Sequence, residues 1–303
     1  MCITHKVDLP VELEREIFEL VASTDVATAL RLAVAARRVQ VWVEPIIYSK
    51  VVVAHAPEDR LQMQYARTVL WDRTARAQRS QKASNQPKIP RFIRTIPFRP
   101  ESFFARHVKS LQIGHLSELE LVTVLSACTG ISELGWWANV LTPLVIAALN
   151  LLTLRRLSVD PSFDFARLTT APMFATITHL DICFHNYLGQ QVLPPLVRFS
   201  TLTHFSVHHS LVPSPTWCDD VLELCPRLKI LLRFSDKLFF EELSGLRQRH
   251  ADLRIVVMQQ PVGVWTARWV HDAWPVAENI VRERRKIAAA ERKATADASE
   301  PLS

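Results

Sequence analysis

A chain of 303 residues with 49% hydrophobic and 22% charged side chains can bury a sizeable core, which excludes global disorder. The formal net charge is +6 at pH 7. No run reaches the roughly 18 to 20 apolar residues of a membrane span; the longest candidate, Val140 to Leu154, is broken by Pro143 and Asn150 and reads as a buried helix. Cys2, Cys128, Cys183, Cys218 and Cys225 are odd in number and lack the two-residue spacing of a zinc knuckle or redox motif, so reduced thiols are expected, with Cys128 and Cys225 buried at helix ends. The segment before the first helix signature contains Lys6 and Asp8 and no apolar signal region, which predicts a chain retained in the cytoplasm or nucleus.

From Leu9 to Tyr48 the apolar pattern is helical. Pro10 suits a first turn, Leu13, Ile17, Leu20 and Val21 form one stripe, and Asp25 is placed to cap a second helix carrying Val26, Leu30, Ala33 and Val34. A third stretch uses Val39, Trp42, Val43, Ile46 and Ile47. Over about forty residues this resembles an F-box, and more closely the F-box-like heads common on fungal proteins with irregular repeats behind them. Leu9 and Pro10 match the opening leucine-proline, Leu13, Ile17 and Phe18 the first apolar helix, and Arg37 and Arg38 the paired basic residues. Val39 departs from the tryptophan that often follows the basic pair, Trp42 comes three residues later, and Val21 and Ala22 replace a leucine-proline. The resemblance implies docking on the Skp-type linker subunit of a cullin-RING ubiquitin ligase through Leu9, Pro10, Leu13, Ile17, Phe18, Leu30 and Val34, by a chain that is a monomer outside that complex. A helical cap shielding the first repeat is the alternative.

Between Arg60 and Arg99, ten basic residues stand against Asp72 alone, which leaves +9 in this stretch. A helix is expected up to Gln78 and a flexible connection over SQKASNQPKIP. No aromatic stacking array or nucleic-acid motif accompanies the charge, so a solvated linker is the preferred reading over nucleic-acid binding.

A short pattern then recurs seven times, starting at Val108, Ile131, Leu154, Ile177, Leu202, Leu228 and Leu253, with steps of 23, 23, 23, 25, 26 and 25 residues. Each copy has an apolar residue, another three later and another two after that. Of these 21 inward positions 20 are apolar, where composition alone would give about half; Arg233 is the exception. Pattern and spacing resemble degenerate leucine-rich repeats, which implies an α/β fold with a parallel sheet of about seven strands and a solenoid that holds other proteins.

Side chains on a strand alternate faces, and in the first five repeats no outward position is aliphatic. A sheet buried on both faces would be apolar on both, so the outward face is expected to meet solvent and a protein substrate. Trp137, Arg156, Asp160, His179, Asp181, His204 and His208 are the expected contacts. His179 and His204 share a position on adjacent strands, about 4.8 Å apart, so a metal or acid-base pair is conceivable; a polar recognition surface is the preferred reading, with no metal and no cofactor. Phosphate loops, nucleophile elbows and metal motifs are absent from the sequence, and an enzyme is not expected.

In the last two repeats the outward positions turn apolar at Ile230, Leu232, Phe234, Ile255 and Val257, so a cover is expected, with VWTARWVHDAW as the candidate. A slipped register in the sixth repeat, taking Arg233 out of the core, is an alternative. Residues 277–298 are expected to project as a charged surface helix. The organisation is then a head at 1–50, a basic connection at 51–107, repeats at 108–260 and a cap and tail at 261–303. The function expected is substrate recognition within an SCF-type ubiquitin ligase; an interaction scaffold without that role and a basic nucleic-acid-associated protein are the alternatives.

Overall fold

The computed structural model describes residues 9–54, 90–114, 116–137, 141–159, 172–184, 196, 198–209, 216–235, 252–259 and 273–298. Its framework is an open sheet of eight parallel strands in chain order. They are β1 (Lys50–Ala54), β2 (Ser110–Gly114), β3 (Glu133–Trp137), β4 (Arg156–Val159), β5 (His179–Phe184), β6 (His204–His209), β7 (Ile230–Ser235) and β8 (Ile255–Gln259). Parallel neighbours need a crossover over one face, and the repeat spacing supplies it. Ser110, Glu133, Arg156, His179, His204 and Ile230 stand side by side in register. At the entries of β2 to β7, two successive amides share one carbonyl at or just before the preceding strand's entry; Arg155 and Arg156, for example, donate to the Ser132 oxygen at 2.8 and 3.0 Å.

The inward side chains form one core with the crossover helices. Leu111, Ile113, Leu134, Trp136, Leu157, Val159, Leu180, Ile182, Phe205, Val207 and Leu231 pack with residues of three helices. These are Leu121, Val124 and Leu125 of one, Val145 and Leu149 of the next, and Val221 and Leu222 of the last. Local signals set the helix starts. Ser117 and Glu120 form a capping box before the first, and the Thr142 hydroxyl accepts from the Val145 amide before the second. Each fully buried aliphatic side chain contributes about 2 kcal/mol, so the array is held mainly by this single apolar layer. Cys128, Cys218 and Cys225 are buried free thiols, and desolvation pushes the Cys128 thiol up to about 12.

The head comprises α1 (Val11–Thr24), α2 (Val26–Ala33) and α3 (Arg37–Tyr48). Asp25 caps α2 by accepting from the Thr28 amide at 2.9 Å, and Arg38 ties α3 to α1 through Glu14 at 2.5 Å. Ala22, Ala29, Val39, Val43 and Ile47 form a small core separate from that of the sheet. Tyr48 joins the two by packing its ring edge-on against Phe103 and Phe104, at 5.4 and 5.5 Å.

Four expectations change. The sheet has eight strands, not about seven: β1 pairs with β2 and buries Val51 and Val53. It escaped the periodicity because the stretch separating it from β2 far exceeds the repeat step. The region expected to be a connection ends in packed structure, with α4 (Arg91–Thr95) and α5 (Glu101–His107) placing Phe92 and Phe104 against the core. Residues 55–89, including the expected helix and most of the basic charge, lie outside the described residues.

The register slip falls in the seventh repeat, not the sixth. Leu231 pairs with Ile255 and Arg233 with Val257, so Ile255 and Val257 take inward positions while Val256 and Met258 join Ile230, Leu232 and Phe234 on the outward side. β8 is apolar on both faces, so alternation carries no signal there. Arg233 stays inward and buried, its Nη1 3.7 Å from Cys218 Sγ, while its Nε and Nη2 find no partner among the described residues.

The remaining helices are α6 (Glu118–Ala127), α7 (Pro143–Leu149), α8 (Trp217–Leu224) and α9 (Ala273–Ala298). The charged surface helix expected from residue 277 projects only later: residues 285–295 of α9 are mostly exposed, as expected, but its first turns pack on the sheet. Ala277 and Val281, one turn apart on the helix, are buried against the outward side chains of β7 and β8 together with Trp274 and Ile280. Arg284 adds a 2.6 Å bond to the Ile255 carbonyl. Of the expected cover, Val264, Trp265, Trp269 and Val270 lie outside the described residues. No helix among the described residues is long and apolar enough to cross a membrane.

Candidate functional site on the outward face

The parallel register brings His179 of β5 and His204 of β6 side by side. Their rings stack, with centroids 4.1 Å apart and planes 5° from parallel. Trp274 of α9 meets both rings edge-on, at 5.4 and 5.5 Å, and Glu278, one turn further along the helix, brings Oε1 to 3.2 Å from His204 Nε2. The far nitrogens are held from below: Thr178 and Thr203 hydroxyls each lie 2.8 Å from the Nδ1 of the histidine that follows them.

Beside the histidines, Asp181 of β5 bridges two strands. It accepts from Ser158 Oγ at 2.6 Å and from Ser206 Oγ at 2.5 Å. Glu133 and Arg156 form an ion pair at 3.3 Å across β3 and β4. Arg156, His179, Asp181, Leu232, Phe234 and Trp274 line a small cleft of about 50 Å³. Burial is the main cause that holds His179 down to about 3, with the neighbouring His204 and Arg156 adding to it. Burial also lowers His204, against the opposing pull of Glu278. His179 is therefore neutral at pH 7.

The expected contact residues are distributed unevenly. Arg156 and His179 are half-buried and border the cleft, whereas Asp181 and His204 are buried, His204 under α9. Trp137 and His208 lie in β3 and β6, but their side chains, like Asp160 as a whole, fall outside the described residues. Three site members were not among the expected contacts: Glu278, which sits in a helix rich in charges and has no distinguishing spacing, and Ser158 and Ser206 around Asp181. The polarity of outward positions carried the serines, but nothing in the sequence joined Glu278 to β6.

The head presents a second surface. Leu13 and Ile17 are 48% and 49% exposed, and Leu9, Val11, Leu20 and Leu30 are also exposed; Val34 reaches 85%. Pro10 is exposed, while Phe18 turns inward and packs on Trp42 at 6.3 Å. The stripe of Leu13, Ile17 and Leu20 thus faces outward, and Phe18 and Ala22 form the inner side of the helix. No known protein family matches the sequence, and no curated protein shows significant similarity to it.

Proposed function

We propose that the chain is a substrate-recognition adaptor of an SCF-type ubiquitin ligase, with an F-box-like head that docks on the Skp-type linker and a leucine-rich-repeat solenoid that holds a protein substrate in the cytoplasm or nucleus. The observation that supports it most is the aliphatic surface of α1 and α2. Leu9, Leu13, Ile17, Leu30 and Val34 stay exposed although a large core lies next to the head, so the head folds without using them. An apolar helical surface left uncovered in this way suits a partner's helices.

The sheet supports the second half of the reading. A parallel array in chain order, with its inward side packed on helices and polar residues on the other side, offers a rigid platform. Ser110, Gln112, Ser158, Asp181, His204 and Ser206 on that side are buried and do not meet solvent as expected. Its accessible part is the cleft at Arg156 and His179, since α9 occupies the end over β7 and β8.

Affinity purification tests the reading. The full chain should capture the linker and the cullin, and Leu13→Glu with Ile17→Glu should lose both while retaining a substrate bound to the sheet. A folded wild-type chain that captures no linker would reduce the head to a cap and the protein to an interaction scaffold.

A further inference from the structure

We propose that His179, His204 and Glu278 form a binding site for a zinc-class divalent metal ion, which pins α9 onto the outward face. The three side chains come from β5, β6 and α9, and their ligand atoms lie within 4.8 Å of one another. Two histidines and a carboxylate are a common ligand set for zinc, with an open fourth position. Zinc–nitrogen and zinc–oxygen bonds of roughly 2.0–2.2 Å in a tetrahedron place neighbouring ligand atoms about 3.4 Å apart. The His204 Nε2 to Glu278 Oε1 separation of 3.2 Å already has that length.

The surroundings favour ligation in a second way. Metal-bound imidazoles donate their other N–H to a fixed acceptor. Here the Thr178 and Thr203 hydroxyls stand at Nδ1 of both rings, and each hydroxyl has a backbone carbonyl 3.2 Å away to receive its own proton. His204 Nε2 donates to Glu278 Oε1 without the ion, so binding moves that proton to Nδ1, where Thr203 can accept it, and then both Nε2 lone pairs face the ion.

Two features work against the ion and define what binding must change. The rings are stacked, so they must fan apart for their Nε2 atoms to converge. Lys229, Arg282 and Arg285 line the groove beside His204 and Glu278, and they disfavour a bare dication by Coulomb repulsion. The fourth position is therefore expected to carry an anionic group, such as chloride or a carboxylate, in place of neutral water. The site is independent of the linker-docking surface on the head.

Cobalt(II) titrated into the full chain, purified without a histidine tag, tests the site. One cobalt per chain with visible tetrahedral absorption, displaced by zinc, is expected. Glu278→Gln changes an exposed side chain and should leave the fold intact by circular dichroism, yet weaken cobalt binding by at least the roughly ten- to a hundredfold that loss of a residue merely supporting a ligand costs. His179→Ala with His204→Ala should abolish the visible bands. Absence of stoichiometric binding by the wild-type chain, or affinity unchanged in Glu278→Gln, would overturn the proposal.

Discussion

Two apolar surfaces of this chain meet opposite fates. The outward side of β7 and β8 carries Ile230, Leu232, Phe234 and Val256, and the chain covers it with Trp274, Ala277 and Val281 of its own last helix. The outer side of α1 and α2 carries Leu9, Leu13, Ile17, Leu30 and Val34, and among the described residues nothing covers it. Hydrophobicity alone does not distinguish these cases. What distinguishes them is whether the described residues supply a matching stripe, as Trp274, Ala277 and Val281 do for β7 and β8.

The comparison can be broken most forcefully at Val281. Val281→Asp places a carboxylate in the apolar contact between α9 and β7–β8 and should cost about 3 kcal/mol, the order expected for a buried unpaired polar group. Urea unfolding measures it, and an unchanged midpoint would mean that α9 does not seal that face. Arg233→Met has the opposite sign. It removes a buried guanidinium with two unpartnered nitrogens, and a gain of about 1–2 kcal/mol in the same assay is expected from replacing a poorly satisfied buried charge by an apolar chain.

Ile17→Glu sharpens the other side of the comparison. A surface that plays no part in folding should tolerate it within about 0.5 kcal/mol in thermal unfolding; a larger loss would show that the head uses this stripe internally. The smallest effect is expected at Asp252, which bonds Arg254 across the turn into β8. The hydrogen bonds from Arg254 hold its carboxyl below the ordinary aspartate range. A depressed folded value gives stability that is present above the unfolded value and lost as pH falls through the folded one. Asp252→Asn should therefore flatten the acid side of the stability curve by a few tenths of a kcal/mol, the scale of an exposed pair, with little change in curvature near neutrality.

Much of the sheet was legible because its inward residues repeat at a nearly constant step. Val108, Ile131, Leu154, Ile177 and Leu202 are all buried at the strand entries the pattern assigned. Legibility failed where a physical signal was missing. β1 stands too far from β2 to belong to the period, and β8 is apolar on both sides, so its register had to be set by pairing with β7. In the site, the His179 and His204 juxtaposition followed from register, since equivalent positions on parallel neighbours stand side by side. Glu278 did not follow, nor did the reach of Trp274 beyond β7 and β8 to the histidines, because a helix packed across strands obeys no sequence spacing relative to them. The head's three helices could be read from period and capping, but which side of α1 faced inward could not: Phe18 and the small Ala22 took the interior, and the larger stripe was left outside.

The path of α9 bears on how the molecule comes apart. In an array whose units touch only their sequence neighbours, unfolding can begin at an end and peel inward one unit at a time. Here the last helix returns to contact β5 and β6 through Trp274 and Glu278 as well as β7 and β8. Fraying of the final strand would have to release a helix anchored two strands earlier. The four C-terminal strands should accordingly exchange their amide hydrogens as one cooperative block, while the strands nearer the head keep the graded protection of a nearest-neighbour chain.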